Sequence, residues 1–210
     1  MSTASPGLFI TLEGGDGSGK TTQMAALADW LTRQGRTVVQ TREPGGTDLG
    51  LELREIILHR RGYIAPRAEA LLYAADRAHH IATLVRPALE RGDVVLQDRY
   101  LDSSVAYQGA GRVLDPAEVR DLSLWATEVL LPHLTVLLDL DPAVGRARLD
   151  SSRTRYDRLE AEQLEFHERV RAAYRALADA EPERFLVLDA TRPVDELQAS
   201  IRDRVSALLG

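Results

Sequence analysis

Five short runs rich in Val, Leu and Ile, at residues 8–12, 37–41, 93–97, 134–140 and 185–188, alternate with stretches of helical periodicity. A run that is apolar at successive positions has no face to turn to water, so each strand must be covered on both sides. Helical patterns over 19–34, 66–91, 116–127, 142–149, 157–180 and 193–209 supply that cover, with Gly35 and Gly92 ending the first two. Pro66, Pro116, Pro142 and Pro193 stand where a first helical turn tolerates a missing N–H. Right-handed crossovers between such strands give an α/β fold, a five-stranded parallel sheet between two layers of helices. No repeat, low-complexity tract or linker interrupts the pattern, so residues 1–210 read as one domain. Ligands of such a sheet lie at the carboxyl ends of its strands.

Composition narrows the possible partners. A net charge of -6 gives no general attraction to nucleic acid or anionic lipid, so any anion site must be local. The chain has no cysteine, which excludes disulfides, thiolate metal sites and thiol nucleophiles together. Residues 1–7 lack the charged-then-apolar pattern of a signal peptide and no apolar run is long enough to span a bilayer, so the expected location is the cytoplasm.

The strongest local signal follows the first strand. Gly14-Gly15-Asp16-Gly17-Ser18-Gly19-Lys20-Thr21 fits the phosphate-loop pattern G-x-x-x-x-G-K-[ST], placed between a strand and a helix as that pattern requires. Glycines let successive backbone N–H groups turn inward to phosphate oxygens, and the helix N-terminus adds partial positive charge. Lys20 is the only lysine in a chain with 26 Lys and Arg residues. Its compact ammonium on a slim stem suits a position that must reach the β- and γ-phosphates, where a planar guanidinium is too broad. Thr21 offers a hydroxyl to Mg²⁺, and Thr22 continues the site. The segment therefore reads as a nucleoside triphosphate site.

Two absences narrow the class. Without any asparagine the chain cannot carry the N-K-x-D element with which GTPase switches read guanine, and Asp98 is followed by Arg99 rather than a second acid. Arginines at strand ends suit a second anion instead. Arg42 follows the second strand, in T-R-E-P-G-G-T, where its fork can grip a phosphate and residues 43–46 form a rigid turn. Tyr73 and Arg77, four apart in L-L-Y-A-A-D-R, share a helix face as an aromatic platform and a hydrogen-bonding fork for a flat ring.

Taken in order, EGGDGSGKTT, REPGGT, LLYAADR, DRY, SSVAYQG and DRLE resemble the bacterial thymidylate kinases, with the three-layer P-loop kinase fold and an arginine-rich lid at about 146–160. The resemblance implies transfer of phosphate from ATP-Mg²⁺ to dTMP, in a homodimer. It implies that Tyr73, where most relatives carry Phe, stacks on thymine, that Arg77 hydrogen-bonds the base, and that Ser104 and Gln108 read its edge. Arg42 and Arg99 would hold the acceptor's phosphate, Asp16 would contact the 3′-hydroxyl, and Tyr107 would crowd a 2′-hydroxyl. Asp98 would help hold Mg²⁺, and Arg148 would pack on adenine.

An acceptor that is already an ionised phosphate needs positioning and cancelled charge, not a general base. Residues 146–158 carry five arginines. The resemblance puts a basic residue either in the phosphate loop or in the lid, and Gly17 occupies the loop position. Arg153 or Arg155 is therefore expected to close over the triphosphate beside Lys20, Arg99 and Asp16, with Arg158 as a further candidate. Two alternatives stay open: a deoxyribonucleoside kinase using Glu43 as base, and a P-loop ATPase that transfers nothing. His79 and His80 read as surface residues rather than metal ligands, and Trp30 and Trp125 as core or subunit contacts.

Overall fold

A computed structural model describes residues 7–60, 62–152 and 156–210; Arg153 and Arg155 lie outside them. Five strands, β1 Leu8–Glu13, β2 Val38–Arg42, β3 Val94–Asp98, β4 Leu134–Asp139 and β5 Phe185–Asp189, form one parallel sheet in the order β2-β3-β1-β4-β5. This is the α/β sheet expected from the apolar runs. β1 is central and every one of its residues is buried. It connects onward to β2 on one side while its other neighbour, β4, connects to β5. Adjacent chains thus leave the sheet in opposite directions and open a crevice at their carboxyl ends.

The pleat divides β1 between two packing layers. Leu8, Ile10 and Leu12 join Leu27 and Leu31 of α1 (Lys20–Arg33) and Leu197, Ile201 and Val205 of α9 (Val194–Leu209). Phe9, with Val95 of β3, packs against Ile81, Val85 and Ala88 on the opposite face. Leu137 of β4 and Phe185 of β5 bury Phe166, Val170 and Tyr174 of α8 (Leu164–Ala180).

The helix expected over 66–91 runs as three joined segments: α3 Pro66–His80, a π-helical turn Ile81–Val85, and α4 Arg86–Glu90. Pro87 has no N–H to give the preceding turn, and the widened turn directly before it accommodates that loss. Helix α6 (Pro116–Ala126) falls where expected, and α7 (Pro142–Ser152) runs three residues further. The pattern over 157–180 begins later than expected because Asp157 Oδ1 accepts from the N–H groups of Leu159 and Glu160, both at 2.8 Å, closing a separate turn. Two helical segments have no counterpart in the sequence reading. They are α2 Asp48–Arg54 with a π-helical extension Glu55–His59, and α5 Leu101–Ser104 extended by Val105–Gly111. Glycines mask both. A Cβ on Gly50 would stand 2.5 Å from Asp76 Oδ1, and one on Gly111 2.7 Å from the Phe166 ring, so these glycines permit close packing inside helices. Among the described residues no helix is long and apolar enough to cross a membrane.

Candidate active site

A cavity of about 490 Å³ opens at the carboxyl ends of β1, β2 and β3. Its floor is the loop between β1 and α1. Gly14 (φ 132°) and Gly17 (φ 74°) hold left-handed backbone there. A Cβ would stand 2.4 Å from the Leu138 carbonyl oxygen at Gly14 and 2.6 Å from that of Gly145 at Gly17, so only glycine lets the loop lie this close to β4 and α7. Lys20 turns back over the loop, its Nζ donating to the carbonyl oxygens of Gly14 at 3.1 Å and Gly15 at 3.0 Å. Burial first, and Arg99 second, hold its ammonium below the ordinary value of 10.5. Among the described residues Ser18 Oγ is buried with no hydrogen-bond partner. A buried hydroxyl left this way is costly unless something binds it, and the loop is built to receive phosphate oxygens.

Thr21 and Thr22, at the exposed start of α1, line the cavity together with Asp98 at the end of β3. Asp98 Oδ1 is likewise buried without a partner. A hydroxyl and an unsatisfied carboxylate oxygen on one cavity wall are hard oxygen donors that fit Mg²⁺. No cluster of three or more His, Asp or Glu residues able to hold a metal occurs among the described residues.

Arg99 lies at the cavity's centre. Its backbone is left-handed, φ 67°, an uncommon state for a non-glycine residue that must be held by its surroundings. Nη2 donates to Asp16 Oδ1 at 2.6 Å and Nη1 to the Gly14 carbonyl at 3.1 Å, while the guanidinium carbon sits 5.0 Å from the Tyr107 ring centroid. Tyr107 OH donates to Asp16 Oδ2 at 3.3 Å. Burial would raise the Asp16 carboxyl, but Arg99 and then Lys20 hold it below its ordinary 3.8. Arg42, across the cavity at the end of β2, is exposed, and its side chain makes no hydrogen bond or ion pair among the described residues.

The remaining expected residues divide into two groups. Tyr73, 8% exposed, and Gln108 line the cavity. Gln108 Nε2 donates to Glu69 Oε1 at 2.8 Å, fixing which way its amide faces. Arg148 lines it from α7, donating to the carbonyl oxygens of Gly17 at 3.2 Å and Ala190 at 3.1 Å, so it ties the phosphate loop to the end of β5. Arg77 reaches the cavity wall but is 1% exposed. Its N–H groups go to Glu43 Oε2 (2.8 Å), Ser123 Oγ (3.0 Å), Ser104 Oγ (3.0 Å) and the Tyr100 carbonyl (3.2 Å), which leaves one N–H on Nη1 for any base. Ser104 is 2% exposed, is bonded to Arg77 and does not line the cavity. It stands beside the Arg77 fork expected at the base.

His80 also departs from expectation. It is fully buried, Nδ1 lying 2.9 Å from Glu43 Oε1 and Nε2 2.7 Å from Thr41 Oγ1. His79 is half-buried. Glu43 has both oxygens engaged, by Arg77 and His80. Arg158 pairs with Glu69 at 2.6 Å, rather than with Glu160 or Asp157, and Trp125 is 80% exposed while Trp30 packs on the core.

Several site residues escaped the sequence reading. Arg54 on α2 lines the cavity and donates to the Pro44 carbonyl at 2.8 Å; its helix was hidden by Gly50. Glu69, on α3 one turn before Tyr73, is fully buried beneath Gln108, Arg112 and Arg158. Its spacing from Tyr73 was the available signal. Glu13, Ser103 and Tyr174 meet behind Arg99 from three distant segments, which no local pattern announces.

The family model described as thymidylate kinase matches residues 12–201. The chain belongs to the thymidylate kinase family. It is 77% identical to the thymidylate kinase of Leifsonia xyli subsp. xyli over 203 residues, 97% of this chain and 96% of that one. It is 56% identical to that of Deinococcus radiodurans, over 96% of this chain and 98% of the relative. The crystal structure of thymidylate kinase from Ehrlichia chaffeensis superposes with a TM-score of 0.77 at 30% identity, covering 95% of this chain and 99% of that one. As a member of the thymidylate kinases this chain is a nucleotide kinase on an α/β P-loop scaffold.

Proposed function

We propose that the chain carries out its family's reaction, phosphorylation of dTMP by ATP, by holding the two nucleotides head to head across the cavity. The observation that carries this reading is the placing of two arginines from different strand ends, Arg42 and Arg99, in the same cavity as the phosphate loop. In this reading the triphosphate lies in the loop from Gly14 to Thr22, its β- and γ-oxygens taken by the backbone N–H groups and by Lys20, which leaves the Gly14 and Gly15 carbonyls to reach them. Arg148 flanks adenine. Arg42 and Arg99 grip the acceptor's phosphate, Asp16 contacts the 3′-hydroxyl, and Tyr107 blocks a 2′-hydroxyl. Tyr73 stacks on the base, with Gln108 and the remaining Arg77 N–H at its edge.

Transfer then proceeds in line: an acceptor phosphate oxygen forms a bond to the γ-phosphorus as the bond to the β,γ-bridging oxygen breaks, giving dTDP and ADP. No proton need be removed from an ionised phosphate. Thr21 and Asp98 are the residues that would hold Mg²⁺, which when bound neutralises charge on the β- and γ-oxygens. Lid residues at about 146–160, Arg153 or Arg155 among them, supply the remaining positive charge in this proposal. We also assign the chain to the cytoplasm, where its substrates are found, and to a homodimer, because an indole 80% exposed on α6 suits a subunit contact.

The test is ADP release across an acceptor panel of dTMP, thymidine, ribothymidine monophosphate and dUMP. Turnover with dTMP, none with thymidine and little with the ribonucleotide are expected. Comparable turnover of thymidine would mean a hydroxyl acceptor, and hydrolysis unaffected by any acceptor would mean an ATPase.

A further inference from the structure

Behind Arg99 lies a carboxylate that, among the described residues, forms no ion pair with a cation. Glu13, the last residue of β1, is fully buried. Oε1 accepts from the Tyr100 N–H at 2.7 Å; Oε2 accepts from Ser103 Oγ at 2.6 Å and Tyr174 OH at 2.8 Å. The two hydroxyls are themselves 2.7 Å apart, and Arg99 Nη1 faces both, at 3.3 and 3.4 Å.

We propose that Glu13 is a positioning residue for Arg99, acting through the Ser103 and Tyr174 hydroxyls and through the Arg99–Tyr100 peptide; this rests on the reading of Arg99 as a holder of the acceptor phosphate. Three oxygens meet in the triangle of Glu13, Ser103 and Tyr174. Ionised, as it is at pH well above 7, the carboxylate brings no proton to it, so both hydroxyl protons are used inside the triangle. Only lone pairs are left to face Arg99, and its Nη1 donates to them. The peptide that follows Arg99 is gripped at both poles: its N–H by Glu13, its carbonyl by Gln97 Nε2 at 3.0 Å. With the Arg99 N–H bonded to the Leu12 carbonyl at 3.0 Å, these contacts hold the left-handed backbone from which the side chain projects. Tyr174 comes from α8, so the same carboxylate joins three segments of the fold at one guanidinium.

The decisive variant is Glu13→Gln, which preserves shape. If its amide oxygen faces the hydroxyls, the amide nitrogen meets the Tyr100 N–H, donor against donor. If the nitrogen faces them, one hydroxyl proton loses its acceptor and must turn outward toward Arg99. At pH well above 7, where wild-type Glu13 is ionised, E13Q is expected to raise the dTMP KM roughly tenfold or more, as misplaced reacting groups produce, with the ATP KM unchanged. In a Ser103→Ala/Tyr174→Phe background, where nothing remains to be turned, the added effect of E13Q on dTMP KM should shrink. A wild-type dTMP KM in E13Q, or an undiminished effect in that background, overturns the proposal. Should E13Q fail to fold, S103A/Y174F alone carries the test: it must raise dTMP KM selectively, and a wild-type value overturns the proposal. Arg99→Ala, measured alongside, separates the two claims. If R99A leaves dTMP KM unchanged, the role assigned to Arg99 is wrong. The crystal structure of E13Q then decides the role of Glu13: a displaced guanidinium supports it, and an Arg99 still seated on Asp16 and the Gly14 carbonyl overturns it.

Discussion

Arg42 and Arg99 face the same cavity in opposite states of preparation. Arg99 is clamped by Asp16, Gly14 and the hydroxyls behind it, whereas Arg42 stands exposed and without a side-chain partner among the described residues. Removing Arg42 should therefore subtract ligand binding and little else. Arg42→Ala is expected to raise the dTMP KM roughly tenfold or more, the usual effect of losing a charge-assisted hydrogen bond, while the melting temperature stays at the wild-type value. Steady-state kinetics with a thermal melt check both halves. Glu13 shows the reverse trade. Burial, and then the charge of Asp102, push its carboxyl from 4.5 up to about 7, against the pull of Ser103, Arg99 and Tyr174. The folded state thus holds that proton more tightly than the unfolded chain. The stabilisation is full below about pH 4.5 and is lost as pH rises through about 7. Melting temperatures of wild type and E13Q across this window should show the variant gaining on the wild type as pH rises; parallel curves would contradict the shift.

At the scale of elements, Glu69 is the pin between α3 and the segments beside the lid. It accepts from Gln108 after α5 and from Arg112, and forms an ion pair with Arg158 in the turn before α8. Arg158 is largely buried, so Glu69→Ala leaves its guanidinium without its counter-charge, while Arg112 keeps Glu162. A loss on the order of 3 kcal/mol is expected from breaking such a pair, read as a lower urea midpoint, together with a higher dTMP KM because Gln108 is released. An unchanged midpoint would place the three side chains apart in solution. This element also shows how far sequence carries. The phosphate loop, the strand ends and Tyr73 were legible because each is a local pattern: glycines at fixed spacing, continuous apolar runs, an aromatic one turn from an arginine. Helix α2 and the extension of α5 were not, since Gly50, Gly109 and Gly111 serve packing against Asp76, Pro116 and Phe166 rather than helix termination. His80 is buried rather than at the surface for a related reason. Its partners Glu43 and Thr41 lie 37 and 39 residues away, and burial of a polar residue is decided by partners that spacing does not reveal.

For the whole molecule, the sheet order β2-β3-β1-β4-β5 explains why the chemistry gathers where it does. β1, β2 and β3 deliver the phosphate loop, Arg42 and Asp98–Arg99 to one cavity, which α7 lines with Arg148, while Tyr174 of α8 backs Arg99. Trp125 (80% exposed) on α6 and Val129 (67% exposed) four residues on offer an apolar patch. If that patch is the subunit contact, Trp125→Glu should convert the protein to a monomer in sedimentation velocity; a wild-type sedimentation coefficient would move the contact elsewhere. Head-to-head binding is tested most directly by the crystal structure with a bisubstrate analogue, adenosine and thymidine joined through a chain of phosphates. The adenosine-side phosphates should lie in the loop on Lys20, and the thymidine-side phosphate between Arg42 and Arg99, with thymine on Tyr73. A thymidine end lodged anywhere outside the cavity bounded by those residues would contradict it.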